Sequence, residues 1–207
     1  MQGICTRRFR GKTLGIRGFH PEKLEIHHPV AGGIRHDILL SSSQTDTFII
    51  MGIEIERKFL VDPDGTWNQA ERHLHCHQGY ISSLAPCSMR VRLLGGRGYL
   101  TMKSKRDGIQ REEFEYEIPA EDASHMLEHF CDAGLIEKTR YYTRHEGMLW
   151  EVDVFEGANK GLILAEIELE STDQEIILPE WVLKEVSGDP RYFNAMLANH
   201  PYSTWLG

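Results

Sequence analysis

An α+β domain built around a largely antiparallel sheet is predicted for residues 51–207 by three observations. Charged and apolar residues alternate with period two in eight separate segments, which is the periodicity of half-buried strands. Gly95-Gly96 and Glu146-Gly147 fall between consecutive segments, and such pairs close tight hairpins because glycine accepts positive φ. Clear helical spacing is confined to two stretches, 120–133 and 190–199.

Taken in order, the first strand covers 53–61 and carries Glu54, Glu56 and Lys58 at alternate positions. An extended chain therefore puts two carboxylates and an ammonium on one face. Strands follow over 75–82, over 88–94 with Arg90 and Arg92, over 97–104 with Lys103, and over 110–118 with Arg111, Glu113 and Glu115. A helix over 120–133 presents Ala123, Met126, Leu127 and Phe130 on one face, with Gly134 as its stop. The next strands are 137–145 with Lys138 and Arg140, 148–156 with Glu151 and Asp153, and 162–170 with Glu166, Glu168 and Glu170. Residues 174–186 read as a further short helix. The last helix starts at Pro190, which suits a first helical position after Asp189, and turns Tyr192, Met196 and Leu197 to the sheet.

Opposite the charges, the strands carry Ile53, Ile55, Phe59, Val91, Leu93, Leu100, Met102, Val152, Val154 and Ile167, so the core lies on that side. Two architectures satisfy the pattern. An open sheet can show its charged face to water. Alternatively the sheet closes into a barrel with a charged interior, which demands interleaved opposite charges, ions or an anionic ligand. Periodicity alone leaves both open.

Composition narrows the organisation. Residues 1–50 hold seven Lys or Arg against four Asp or Glu, whereas the remainder of the 207-residue chain is strongly acidic and brings the net charge to −8. The boundary falls at Met51. The first fifty residues lack a periodic element and a secretory h-region, and read as a disordered or artefactual N-terminal extension, with Met51 as the biological start. No run approaches the ~18 apolar residues of a membrane span, so no membrane partner is expected. Cys5, Cys76, Cys87 and Cys131 have no metal-site spacing and read as reduced thiols of a cytoplasmic protein. An acidic body argues against nucleic acid as a partner. His73, His75 and His77 alternate on one strand face beside Cys76, a geometry able to bind a transition metal, but they read as rim or exposed histidines outside the carboxylate pattern.

The ordered motifs resemble the CYTH family, the triphosphate tunnel metalloenzymes. Glu54-x-Glu56-x-Lys58 is similar to the family's opening signature, Gln78-Gly79-Tyr80 to its second strand, and Arg90-Val91-Arg92-Leu93 to its Arg-x-Arg strand. Thr101-Met102-Lys103, Arg111-Glu112-Glu113-Phe114-Glu115, Glu137-Lys138-Thr139-Arg140-Tyr141, the segment from Trp150 to Phe155, Glu166-Ile167-Glu168, and Glu185-Val186-Ser187 with Arg191-Tyr192-Phe193-Asn194 continue the match. The resemblance implies an eight-stranded antiparallel β-barrel, the triphosphate tunnel, with helices packed outside.

Hard divalent cations prefer carboxylate oxygens, and phosphates prefer Lys and Arg, so segregated rows of the two suit a linear triphosphate. The resemblance makes Glu54, Glu56, Glu166 and Glu168 the leading ligands of Mg²⁺ or Mn²⁺, supported by Glu113, Glu115 and Asp153. Arg90, Arg92, Lys103, Arg111, Lys138 and Arg140 grip the phosphates, joined by Lys58, and Lys58 and Tyr80 are implied to activate or orient the attacking water. One departure is that Ala195 and Met196 follow Asn194 where related sequences place a basic residue; Lys184 is the candidate to replace it, and Arg191 is a further candidate for binding substrate. The expected activity is metal-dependent hydrolysis of tripolyphosphate to pyrophosphate and phosphate. Class IV adenylate cyclase, thiamine triphosphatase and a non-catalytic polyphosphate-binding module are the alternatives. A homodimer is implied by the resemblance, without a legible interface.

Overall fold

The computed structural model describes residues 49–70, 72–82, 87–131 and 134–205. Nearly all of the predicted N-terminal extension lies outside these residues. The strands are β1 (Ile49–Val61), β2 (Arg72–Ser82), β3 (Cys87–Leu94), β4 (Arg97–Ser104), β5 (Gln110–Ile118), β6 (Ile136–His145), β7 (Met148–Phe155), β8 (Ile163–Glu168) and β9 (Val182–Glu185). Helix α1 (Ala120–His129) follows β5, and α2 (Asn194–Asn199) follows β9. Among the described residues no helix is long and apolar enough to cross a membrane.

Closure depends on the length of β1. Its first half pairs antiparallel with β5, Glu54 facing Arg111, and its second half pairs with β8, Glu56 facing Glu168 and Lys58 facing Glu166. The order β1-β5-β4-β3-β2-β6-β7-β8 then returns to β1, giving a closed eight-stranded antiparallel barrel with both α-helices outside it. One strand thus serves two edges and closes the barrel. β9 pairs with the end of β1, Phe59 facing Glu185 and Val61 facing Val182.

Side-chain alternation sends the charged row inward. The outward row of Ile55, Phe59, Val152, Ala165 and Ile167 packs with Trp67, Trp150 and Trp181 beneath the segment that leads to β9. Val91, outward on β3, is covered by Ala123 and Leu127 of α1. At one end the interior itself becomes apolar. Leu60 and Leu164 face each other across β1 and β8, and with Ile136 and Phe155 they pack against Leu197 and Ala198 of α2, flooring the barrel. The predicted hairpin turns are observed, with positive φ at Gly95, Gly96, Glu146 and Gly147.

Three expectations are corrected. Residues 174–186 form no helix and contain β9 instead, because Val182 and Trp181 are drawn onto the outer apolar layer as a strand. α1 ends at His129 rather than near Gly134, which leaves Phe130 as its C-cap and 52% exposed. The last helix is shorter than its pattern: Pro190–Tyr192 is a separate 3₁₀ turn capped by Asp189, and α2 buries Leu197 while Met196 remains exposed.

Candidate active site

The inward row converts the barrel into a tunnel of buried charge. Lys58, Arg90, Lys103, Glu115, Lys138, Arg140 and Asp153 are buried, and Glu54, Glu56, Arg92, Arg111, Glu113 and Glu166 are nearly so. This settles the choice between the two architectures, because a sheet showing its charged face to water would leave these side chains exposed. The strand register explains the grouping: Tyr80 faces Arg90, Gln78 faces Arg92, Arg90 faces Thr101, Thr101 faces Glu115, and Arg140 faces Asp153.

Each wall neutralises its own charge in a particular way. On β3 to β5, Glu115 accepts from Arg92 at 2.9 Å, from Arg90 at 3.3 Å and from the Thr101 hydroxyl at 2.6 Å. Burial alone would raise its pKa, but the two guanidiniums and these hydrogen bonds hold it down at about 2. On β6 and β7, Asp153 accepts from Arg140 at 2.7 Å on each oxygen and also from Lys138. Burial opposes its ionised form, and the Arg140 and Lys138 charges overcome that effect and lower its pKa. Burial also lowers the pKa of Lys138 and of Lys103, partly offset by Asp153 and Glu54 respectively.

Around β1 the carboxylates of the opening signature are also engaged. Glu54 accepts from Lys103 at 2.6 Å and from Arg111 at 2.5 Å, and those charges outweigh burial to hold it well below the usual carboxylate range. Glu166 accepts from Lys58 and, at 3.1 Å, from Arg140; against the effect of burial, Lys58 and Arg140 again lower its pKa strongly. Glu56 accepts from Arg106 and lies 3.5 Å from Arg111. Glu168 is different. It lies at the exposed end of β8, has no cation within ion-pair distance, and is pushed up to about 7 by burial and by the charges of Glu54, Glu151 and Glu113. Glu113, 3.1 Å from Lys103, is likewise raised by burial, with Glu54 adding to the effect.

Because the carboxylates turn to Lys and Arg, no three acidic, His or Cys side chains among the described residues are gathered as a metal cage. The donor set nevertheless fits a hard divalent cation. Glu56 and Glu168 are register partners, Glu54 and Glu166 flank them on the same two strands, and the excess negative charge that raises Glu168 is what a bound cation relieves. The cations, in turn, have donors to spare: the Nε of Arg90, Arg92 and Arg106 are buried with no acceptor among the described residues. A bound anion would satisfy them.

Tyr80 also lies in this interior, buried, near Gln78 and within the fields of Arg90, Arg111 and Lys58. Burial dominates and raises its pKa, which favours the protonated phenol. Lys184 and Arg191 are not brought to the tunnel wall. Lys184 is exposed on β9, and Arg191 is bound to Asp189 outside, at 2.6 Å. The C-terminal motif has a backbone role instead: the amide of Lys58 donates to Ser187 Oγ at 2.9 Å, and Val186 N–H donates to the Lys58 carbonyl. On the outer wall, His75 and His77 stack at 4.8 Å, each 3.9 Å from a glutamate, apart from the inward rows.

Two interior groups escaped the sequence reading. Thr101 shares a face with Lys103 by period two, so its position was available, but a threonine carries no distinguishing charge. Arg106 lies in the β4–β5 loop, where no periodicity tells which way a side chain turns. It is held below its ordinary pKa by burial, with Arg111 adding to the effect.

Known proteins share this arrangement. The chain is similar to an inorganic triphosphatase of Acetivibrio thermocellus, 46% identical over 155 residues that cover 75% of this chain and 99% of the relative. An inorganic triphosphatase of Nitrosomonas europaea is 38% identical over 150 residues, covering 70% and 96%. A crystal structure of the inorganic triphosphatase NE1496 matches with a TM-score of 0.51 at 36% identity, covering 70% of this chain and 97% of that one. Residues 52–195 match the CYTH domain, and they include every strand and inward charge described above, so the chain belongs to the CYTH domain family.

Proposed function

We propose that this protein hydrolyses inorganic tripolyphosphate to pyrophosphate and phosphate within the tunnel, using Mg²⁺ or Mn²⁺. The observation that carries the reading is the buried interior itself: seven Lys and Arg side chains predicted to bind phosphate line the same lumen as the carboxylates of β1 and β8. The relatives named inorganic triphosphatase support the choice of substrate.

Membership of the family implies a divalent metal ion. Glu54, Glu56, Glu166 and Glu168 would hold it, and when bound it supplies Lewis-acid polarisation of phosphate oxygens. The chain's own residues do the rest. Lys103 and Arg111 hold Glu54, while Lys58 and Arg140 hold Glu166. An entering triphosphate offers these cations better-matched oxygens and frees the carboxylates as metal donors. Arg90 and Arg92 then place unused Nε donors on the phosphate chain. Water attacks the terminal phosphorus in line, and the bond to the pyrophosphate oxygen breaks as the cationic walls take up the leaving charge. The protonated Tyr80 phenol and the Lys58 ammonium orient that water. Asp153 and Glu115 keep Arg140, Lys138, Arg90 and Arg92 fixed in direction, which lowers the reorganisation needed during reaction.

The test is to incubate the full chain with Mg²⁺ or Mn²⁺ and, separately, tripolyphosphate, ATP and thiamine triphosphate. Phosphate release is expected to favour tripolyphosphate and to be abolished in an E54A/E56A variant. Cyclic AMP with pyrophosphate from ATP, or binding of tripolyphosphate without turnover, overturns the reading.

A further inference from the structure

We propose that Arg106 is a substrate-binding residue, a guanidinium carried on a loop that grips the phosphate chain beside Glu56. The inference rests on the tripolyphosphate reading above and adds a residue to it.

Leu60, Leu164, Ile136 and Phe155 pack against α2 and make one end of the barrel interior apolar. β4 ends and β5 begins toward the floored end, so the loop between them lies beside Glu56, one inward position above Lys58. That loop is fixed rather than free. Asp107 and Gln110 exchange backbone hydrogen bonds at 2.9 and 3.1 Å, Gly108 takes φ +61° to close the turn, and Glu56 N–H donates to the Ile109 carbonyl at 3.1 Å. The loop is thereby tied to β1 beside the Glu-x-Glu-x-Lys signature.

Two neighbouring basic residues on this loop behave oppositely. Lys105 is exposed, as a loop lysine usually is, whereas the Arg106 side chain is only 13% exposed. It is folded inward, its Nη2 on Glu56 and its guanidinium 4.8 Å from the centre of the Phe193 ring. The ring fixes the plane of the fork, as cation–π contacts do. Glu56 occupies one edge of that fork, and the Nε is buried with no acceptor. A buried guanidinium with an unused donor, oriented by an aromatic ring and directed into a lumen lined with phosphate-binding cations, is suited to a phosphate oxygen. α2, whose residues Asn194–Asn199 include no Lys or Arg, offers no competing cation at this end. Arg106 therefore adds a loop-borne positive charge to those of Lys58 and Lys138 toward this end.

The experiment is calorimetric titration of tripolyphosphate into the full chain, without metal, for the native protein and the R106A, R106K and K105A variants, with a thermal melt and steady-state kinetics on each. R106A is expected to weaken binding about 10- to 100-fold, the loss of one charge-assisted hydrogen bond or two. R106K should recover part of the loss, K105A should match the native protein, and KM should rise more than kcat falls. Native affinity in R106A overturns the proposal. So does a loss of affinity that R106K does not relieve and that is accompanied by a collapse of the melting temperature, which would make Arg106 a packing residue for Phe193. Tight binding by a native protein that never hydrolyses tripolyphosphate removes the hydrolase reading instead and leaves the comparison of R106A with R106K decisive for Arg106.

Discussion

Asp153 on β7 and Glu168 on β8 face the same tunnel from adjacent strands, yet they represent opposite solutions to a negative charge in its wall. Asp153 is wholly buried and takes both arms of Arg140 together with Lys138, so its charge is cancelled within the wall. Glu168 forms no ion pair among the described residues, and burial together with the charges of Glu54, Glu151 and Glu113, only partly offset by Lys103, brings its pKa to about 7. The difference separates two jobs that residue type alone does not. A carboxylate whose charge is spent on the protein aims the protein's cations, while one whose charge is unspent is available to a cation from solution.

The largest effect should come from breaking the cancelled wall. In D153A, Lys138 and Arg140 remain buried without their shared partner, and stranding charge in this way costs about 3–5 kcal/mol. For a domain of this size that corresponds to a fall in melting temperature of roughly 6–20 °C. E168Q is expected to leave the melting temperature unchanged or raise it, since it removes a repelled charge. Thermal melts of the two variants side by side measure the contrast directly, and equal losses would dissolve it.

Next in size is metal affinity. E168Q removes an ionisable oxygen donor from the β1–β8 set and should weaken Mn²⁺ binding on the order of tenfold or more. Mn²⁺ titration followed by electron paramagnetic resonance reads this without any dependence on turnover. Metal affinity unchanged in E168Q, but lost in a folded D153N, would reverse the assignment of the two carboxylates.

Much of this site was legible from the sequence, and the limits have physical causes. Period two located all eight barrel strands and their inward charges, because a strand's alternation is a local property that survives closure. Closure itself was not local: it depends on Ile49–Ile55 and Glu56–Leu60 of one strand pairing with different partners, and periodicity favoured the open sheet until the resemblance reversed the preference. Residues 174–186 were misread because an amphipathic pattern in a short segment does not distinguish a helix from a strand laid on an existing apolar layer. Arg106 was missed because a loop residue has no period from which to infer its direction. Likewise, the sequence shows Asp153 and Glu168 as two inward acids, and only the neighbouring strands reveal that one has cations opposite it and the other has acids.

The comparison also predicts a pH dependence, smaller than the mutational effects and of definite sign. Between the ordinary carboxylate pKa of 4.5 and about 7, folded Glu168 retains a proton that the unfolded chain has released. The native state therefore binds more protons, and the metal-free protein should lose stability as pH rises through that window. The lowered pKa values of Glu54, Glu115, Asp153 and Glu166 act oppositely and at lower pH, their stabilisation being lost as pH falls below the carboxylate range. Denaturant melts from pH 5 to pH 8 should show a decline that E168Q flattens and that D153N does not. Mn²⁺ should flatten it as well, because occupancy favours the ionised carboxylate and drives the proton off. A decline of the same slope in E168Q would mean that the unspent charge resides elsewhere on the rim, with Glu113, also raised by burial, as the next residue to replace.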